Sequence, residues 1–467
     1  MMGASMLLGS LRKFAVASQP MMARPSYAHE LVTASTFPMA VAMLESGVIG
    51  VLAKKTFHVT DFELATIMAA PIFANLTSFM WAMLARGRGK VRFITSLQLS
   101  VLLILLGISF LPTVGPGPTL LVVAVVLARC ALAGIVTLRS TVWRQNYPEA
   151  RRAQITGRFT VVVTLIMAVG PLIGFVIEDL ATDSFRWFFR LATLVAAVGI
   201  YSFSGIRVRG ERHLLSYERQ SAAKPQPHGD PGRVYAFEPE AGSVERHTVW
   251  TVLREDHGYR WYMIWMFVGG MANLISNFAL MTLVIQLTHG MDYEYTISTL
   301  INTAIPMAVA MLAVPYWAGY LDRVHIARFR SRQGLFWIVT QMGTWLAGLT
   351  GMVWLFALPR VVDGVARGGG MLAWNLGHND FADRRMVPLY MGIHVTLTGV
   401  RGFLAPYLAV TMLYGWSPDV LPGLTVPGFS GIGVHVFLVT ATLALISQLG
   451  FLTLSRAIKN RADESVE

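Results

Sequence analysis

Long apolar segments, separated by short polar ones, run along most of the chain. Twelve of them hold about the 20 apolar residues that an α-helix needs to cross the hydrocarbon core of a bilayer. The segments are apolar on every face, whereas strands of a membrane barrel would alternate in polarity over about ten residues. We therefore predict twelve membrane-spanning helices, covering residues 31–53, 62–84, 91–111, 117–138, 156–179, 185–206, 261–287, 295–319, 333–357, 359–381, 388–413 and 431–455.

Several landmarks of the first six spans recur in the last six at a nearly constant spacing. The recurring pairs are Arg86 with Arg323, Arg129 with Arg367, Gly157 with Gly392 and Pro171 with Pro406, each 235 to 238 residues apart. This spacing indicates a duplicated unit of six helices. Such repeats are typical of secondary transporters, which bind their substrate where the repeats meet.

The apolar pattern also predicts the domain organisation. Between the sixth and seventh spans lies a polar segment with AAKPQPHGDPGR at its centre, which is too polar to cross a membrane and has the composition of a linker. The first 30 residues hold no long apolar segment followed by a small-residue cleavage site, so we expect the first span to act as the insertion signal. The predicted segments are an N-terminal tail at 1–30, a six-helix bundle at 31–206, a linker at 207–258, a second bundle at 259–455 and a C-terminal tail at 456–467.

Composition and charge agree with a membrane protein. Hydrophobic residues make up 54% of the 467 residues, only 14% are charged, and the formal net charge is +12. Most of the Lys and Arg residues fall on one predicted side, which indicates cytoplasmic termini and the inner (cell) membrane. The basicity therefore reflects topology rather than a nucleic-acid partner. The opposite side holds only Lys54, Lys55, Arg186, Arg190 and Arg360.

The loops after the second and eighth spans carry related basic sequences, WAMLARGRGKVRF and AGYLDRVHIAR. Together with the twelve spans and the long central loop, they resemble the major facilitator superfamily over essentially the whole chain. The resemblance implies an all-α integral membrane fold of two pseudo-symmetric six-helix bundles. It also implies alternating access, in which one bundle rocks against the other around a shared cavity.

In that family these loops carry an acid and basic residues that hold the inner gate shut. The second loop keeps the acid as Asp322 beside Arg323, whereas the first keeps Arg86 and Lys90 but has Ala85 in place of the acid. We expect these charged residues to form a gating clasp, which the missing acid weakens in the first loop. The alternative is that the basic residues of the first loop only set the topology.

The fifth span contains AVGPLIGFVIED, in which Gly170, Pro171 and Gly174 are expected to bend the helix and let a neighbour approach closely. This segment resembles the fifth-span pattern of antiporters in the family. Ile166 and Phe175 replace two of the glycines of that pattern, so the resemblance favours export over uptake only slightly.

Charged residues inside the spans are costly in lipid and usually face a cavity or a partner. Glu45 in span one is the natural partner for Arg129 in span four, which resembles the family's span-four R-x-x-x-G arginine although Gly134 comes one residue late. A carboxyl in a nonpolar cavity can load and release a proton as its surroundings change. Glu45 is therefore our candidate for proton coupling, the alternatives being a static bridge to Arg129 or contact with outer water.

The remaining intramembrane charges suggest the sign of the substrate. Asp363 and Arg367 are four residues apart on one helix face and can pair, which is also compatible with a purely structural role. Because arginines outnumber acids, the predicted cavity favours an anionic or zwitterionic substrate. The predicted cavity residues are Arg129, Asp363, Arg367, Arg401 and Asn375.

These inferences predict a monomeric secondary transporter of a small molecule, with the lipid bilayer, the substrate and protons as its partners. No cofactor or metal is expected, since Cys130 is the only cysteine and the four histidines of the linker lack metal-site spacing. A membrane enzyme is a competing class, but we find no nucleophile motif, and GRGKVR lacks the spacing of a phosphate loop. A non-transporting assembly or escort protein on the same fold is the second alternative.

Overall fold

The computed structural model describes residues 14–181, 183–223, 249–382, 387–416 and 427–464. Within these ranges the regular elements are helices, and the one β-bridge pairs Trp416 with Phe429. The α-helices are α1 (Arg24–Met43), α2 (Ser46–Lys55), α3 (Asp61–Phe73), α4 (Ser78–Leu84), α5 (Lys90–Ile108), α6 (Gly117–Asn146), α7 (Glu149–Leu180), α8 (Phe185–Ser204), α9 (Glu211–Ala223), α10 (Val249–Glu255), α11 (His257–Leu287), α12 (Glu294–Thr299), α13 (Ile305–Leu321), α14 (Ile326–Thr350), α15 (Ala357–Leu376), α16 (Val387–Tyr414) and α17 (Val436–Glu464).

Nine helical segments among the described residues are long and apolar enough to cross a membrane. They are Arg24–Lys55, Lys90–Ile108, Gly117–Asn146, Gln154–Leu180, Phe185–Ser204, His257–Leu287, Glu294–Leu321, Tyr390–Tyr414 and Gly433–Asn460. The other three predicted spans also coincide with helices. The second predicted span consists of α3 and α4, which are separated by a 3₁₀ turn. The tenth coincides with α15, which carries three charged residues. The all-α membrane fold is confirmed, and its helices are consistent with twelve spans.

The chain forms two compact units. The N-terminal unit comprises residues 1–58 and 74–230, and the C-terminal unit comprises residues 59–73 and 231–467. In the N-terminal unit α1 packs against α7 and α8, and α5 packs against α6. In the C-terminal unit α13 packs against α15, α14 and α11 both pack against α17, and α3 packs against α16.

Small residues allow some of these helices to approach closely. A Cβ added at Gly368 of α15 would lie 2.8 Å from the backbone oxygen of Ala310 in α13. The neighbouring Gly369 faces the ring of Trp317 in the same way. Close packing of backbones through glycine is a usual source of helix association in lipid.

Besides the 3₁₀ turn of span two, two other spans contain irregular backbone. The helix of span one breaks after Met43 and resumes at Ser46, with Glu45 in an extended conformation at the new N-cap. The helix of span eight contains a π-helical turn at Leu300–Ala304. Irregular backbone at membrane depth requires hydrogen-bond partners from the protein, so both positions are places to look for functional side chains.

Candidate functional site

The break in span one is joined to α6 by a buried arginine. Arg129 donates from Nη2 to Glu45 Oε2 at 3.1 Å, and the same nitrogen contacts the carbonyl oxygen of Leu44. One guanidinium thus serves both a carboxylate and a carbonyl group at the helix break. The predicted contact between Glu45 and Arg129 is present.

The two partners differ in their access to solvent. The side chain of Glu45 is 34% exposed, whereas that of Arg129 is 9% exposed. An arginine stays charged under physiological conditions, so any proton taken up by this pair must go to the carboxylate. The geometry suits a proton carrier and also a static bridge, and the coupling role of Glu45 remains a prediction.

A second charged network lies in the C-terminal unit and centres on Asp363. Its Oδ2 atom accepts from Arg360 Nη1 at 2.5 Å and from Arg367 Nε at 2.8 Å. Both arginines also donate to Asn277 Oδ1 of α11, at 3.0 Å from Arg360 and 2.5 Å from Arg367. Two guanidinium groups thus share one carboxylate, which leaves one positive charge in surplus.

The arginines of this network have different surroundings. Arg360 is buried and also donates to the carbonyl oxygens of Ile301 at 3.0 Å and Asn302 at 2.8 Å, both in the π-helical turn. From the sequence Arg360 falls at the margin of an outer loop, but its guanidinium is needed to satisfy that turn. The side chain of Arg367 is 38% exposed, so Arg367 is the member of the network that solvent reaches.

The duplication seen in the sequence is repeated in these contacts. Arg129 binds α1 and α2, which form the first span of its unit, and Arg367 binds Asn277 of α11, the first long helix of the other. The partner is a carboxylate in the first case and an amide in the second. In each unit the corresponding arginine therefore contacts the first long helical segment, although the group that it binds differs.

Two other predicted cavity residues have different positions. Arg401 is buried within the C-terminal unit, where it donates to the carbonyl oxygen of Met266 at 2.5 Å and to Thr398 Oγ1 at 3.1 Å. Asn375 belongs to α15, but its side chain lies outside the described residues. A role for either in substrate binding remains a prediction.

The loop after the second span is held by an acid from the linker. Lys90 is buried and donates from Nζ to the carbonyl oxygen of Ala85 at 2.7 Å and to Glu218 Oε2 at 2.8 Å. The same Glu218 oxygen accepts from the backbone N–H of Gly87 at 2.7 Å. Glu218 of α9 thus supplies an acid to a loop that has alanine at the position of the family's acid. The gating roles of Lys90 and Arg86 remain predictions.

The corresponding loop after span eight forms an open cleft of about 570 Å³. Asp322 and Arg323 line it together with His325 and Asp380. His325 Nδ1 accepts from the backbone N–H of Ala327 at 3.1 Å and so caps α14. Burial lowers the pKa of His325, although the nearby Asp380 opposes this shift. The gating role of Asp322 and Arg323 remains a prediction.

The predicted bend residues of span five lie in a continuous helix, α7, with Pro171 in its interior. A Cβ added at Gly170 would lie 2.6 Å from Met39 Sδ of α1, and one at Gly174 would collide with the ring of Phe188 in α8. The two glycines therefore give α7 close contact with its neighbours. A bend at Pro171 remains a prediction.

A further ion pair that sequence reasoning did not find lies in the N-terminal unit. Glu30 accepts from Arg139 through Nε at 3.1 Å and through Nη2, and from Trp143 Nε1 at 3.1 Å. The guanidinium also lies 5.1 Å from the Trp143 ring centroid. From the sequence Glu30 ends the N-terminal tail and Arg139 follows span four as an ordinary inner-side charge. The spacing of Arg139 and Trp143 on one helix face was the available signal.

An all-helical membrane fold with arginines that support irregular backbone is typical of membrane transporters. The family model described as Major Facilitator Superfamily matches residues 32–406. The match covers most of the chain, which therefore belongs to this superfamily. A comparison with curated protein sequences found no match.

Solved structures with the same fold are membrane transporters. The nucleoside transporter NupG is similar with a TM-score of 0.58 and 11% identity, covering 93% of this chain and 99% of NupG. A D-xylose-proton symporter has a TM-score of 0.59 and 12% identity, with 91% and 96% covered. The inward-open xylose transporter XylE from E. coli has a TM-score of 0.54 and 10% identity, with 92% and 95% covered. At these identities the likeness concerns the fold.

Proposed function

We propose that this chain is a secondary active transporter that moves a small anionic or zwitterionic molecule across the membrane by alternating access. The surplus positive charge of the network around Asp363 carries this proposal. A surplus charge in a membrane protein is costly unless it faces water or meets a ligand of opposite sign. Arg367 is the part of the network that solvent reaches, so it is the group that would meet the ligand.

The hydrogen bonds of Arg367 support this role. Its Nε and Nη2 atoms are held by Asp363 and Asn277, which fix the plane of the guanidinium. Its Nη1 atom has no hydrogen bond to any residue that the structure describes. A fixed guanidinium with free donors suits a carboxylate or phosphate, which arginine binds through paired hydrogen bonds.

Glu45 is our candidate for coupling transport to protons. Protonation would neutralise the carboxyl and weaken its ion pair with Arg129, and so would loosen the contact between α6 and the break in span one. The partial exposure of Glu45 gives protons a route to it. The direction that we propose is export, on the resemblance of the Gly170–Gly174 segment to antiporters.

The substrate class is tested by a thermal-shift screen of the purified protein against anionic, neutral and cationic metabolites, because a ligand that binds the folded protein raises its unfolding temperature. We expect anions or zwitterions to stabilise the protein. Arg367→Met should weaken their binding about 10- to 100-fold, the loss expected for charge-assisted hydrogen bonds of about 1.5–3 kcal/mol. Binding of neutral analogues should change little.

The matched control is Arg332→Met, which removes an exposed arginine from α14. It should leave the binding of every ligand class unchanged. Equal losses for charged and neutral ligands in Arg367→Met would assign that residue a structural role. If no ligand of any charge stabilises the protein and liposomes show no flux, the escort alternative replaces transport.

A further inference from the structure

A group of buried polar side chains lies within the C-terminal unit and shares no member with the network around Asp363. It is contributed by five helical segments, and all of its members are at least nine-tenths buried. We call it the C-terminal polar cluster, and its members are Tyr262 of α11, Arg330 of α14, His378 of the 3₁₀ turn Gly377–Asp380, His394 and Arg401 of α16, and Gln448 of α17.

The members of the cluster lie close to one another. Arg330 and Arg401 interact electrostatically with each other and both act on His394. The hydroxyl of Tyr262 lies beside the guanidinium of Arg330. The side chain of Gln448 contacts Gly334, one helical turn from Arg330. Trp374 covers His394 edge-on, with the ring centroids 5.5 Å apart.

Many hydrogen-bonding atoms of the cluster have no partner among the described residues. They are Arg330 Nε, His378 Nδ1, both ring nitrogens of His394, Arg401 Nε and both amide atoms of Gln448. Buried polar atoms are normally satisfied, and each exception calls for an explanation. Most of these atoms can donate a hydrogen bond, which indicates an acceptor as the missing partner.

The charge of the cluster also indicates that an anion is the missing partner. Neither Arg330 nor Arg401 forms an ion pair with a residue that the structure describes. The nearby acid is Asp380, which interacts electrostatically with Tyr262. Its Oδ2 accepts a hydrogen bond from the backbone N–H of Ile326 at 2.6 Å. One carboxylate against two guanidinium groups leaves a buried positive charge in surplus among the described residues, which is unfavourable, and arginine does not relieve this by losing its proton.

We propose that the C-terminal polar cluster binds one small inorganic anion, of the size of chloride, between Arg330 and Arg401. The hydroxyl of Tyr262, the ring of His394 and the amide of Gln448 supply further donors. Every member of the cluster is at least nine-tenths buried, which favours a small occupant. This anion neutralises the interior of the C-terminal unit and is separate from the transported molecule, so the inference does not rest on the proposed function.

The experiment compares thermal unfolding of the purified full-length protein in sodium chloride and in sodium gluconate at constant ionic strength. We expect chloride to raise the unfolding temperature progressively with its concentration, by about 2–4 °C where binding stabilises the unit by about 1 kcal/mol. Arg330→Met and Arg401→Met should lose this response. Arg332→Met, on the same helix as Arg330 but exposed, should keep it.

Direct binding is measured on the unaltered protein, so the test does not depend on the folding of any variant. The ³⁵Cl NMR line should broaden in the presence of the protein and narrow again on addition of excess bromide. Identical unfolding temperatures in chloride and gluconate, with no line broadening, would overturn the proposal. Stabilisation by organic carboxylates in place of chloride would also overturn it, and would assign the cluster to the substrate.

Discussion

Arginine side chains in this protein support the backbone as well as carrying charge. Arg129 contacts the carbonyl oxygen of Leu44 at the break in span one, and Arg360 donates to two carbonyl oxygens of the π-helical turn in span eight. A guanidinium has five donors in a fixed plane, so it can satisfy carbonyl groups and a carboxylate at once. These positions would otherwise leave unpaired carbonyl groups at membrane depth.

The cap of α14 makes a residue-scale prediction about pH. His325 must be neutral at Nδ1 to accept from the N–H of Ala327, and burial lowers its pKa below the ordinary value of about 6.5. As the pH falls below that value, the unfolded chain takes up the proton first. The stability contributed by the cap is therefore complete above about pH 6.5 and falls as the pH drops towards the pKa of the folded protein.

We expect His325→Asn, which can still cap the helix, to remove this part of the pH dependence, at most about 1.4 kcal/mol per pH unit. The measurement is the unfolding temperature between pH 8 and pH 5. His213→Asn, at an exposed position of α9, should behave like the unaltered protein. Parallel curves for His325→Asn and the unaltered protein would contradict the prediction.

At the scale of elements, α9 is fastened to the loop between α4 and α5. Glu218 binds both the side chain of Lys90 and the N–H of Gly87, which has a positive φ of 66° that favours glycine. A helix from the linker thus provides the acid that the first loop lacks at Ala85. The acid and the loop that it binds are more than a hundred residues apart in the chain.

Glu218→Gln should weaken this contact, because it removes the charge that pairs with the buried Lys90. We expect the free energy of unfolding to fall by about 1.5–3 kcal/mol, as for hydrogen bonds to charged groups. Limited proteolysis should cut the linker faster. Glu211→Gln makes the same change in charge on the same helix and should alter neither measurement, whereas an equal effect of both variants would show that only net charge matters.

At the scale of the whole molecule, proton coupling requires that one titrating group respond to both the gradient and the substrate. We expect Glu45→Gln to abolish accumulation driven by a pH gradient in proteoliposomes while substrate exchange continues. Glutamine keeps an acceptor for Arg129 but cannot take up a proton. Asp292→Asn, at an exposed loop position, is the control, and unchanged accumulation in Glu45→Gln would exclude its coupling role.

Much of the fold could be predicted from the sequence, since span length and apolarity are local properties of the chain. The interruption between α3 and α4 and the break at Leu44 were not predicted, because the few polar residues at each place are also compatible with a continuous membrane helix. The candidate site was predicted in part. Glu45, Arg129, Asp363 and Arg367 stand out as charges within apolar segments, whereas Arg360 and Glu30 fall at the ends of segments and resemble ordinary interfacial charges.

The amino-acid order alone was sufficient for the membrane class, the duplication and the superfamily, because repeated apolar lengths and recurring charged landmarks can be read along the chain. Only the folded protein decided which groups meet. The pairing of Lys90 with Glu218, the binding of Asn277 by Arg360 and Arg367, and the cluster around Arg330 and Arg401 join residues distant in sequence. The packing of helices sets such contacts, because side chains from different helices meet only where the helices cross.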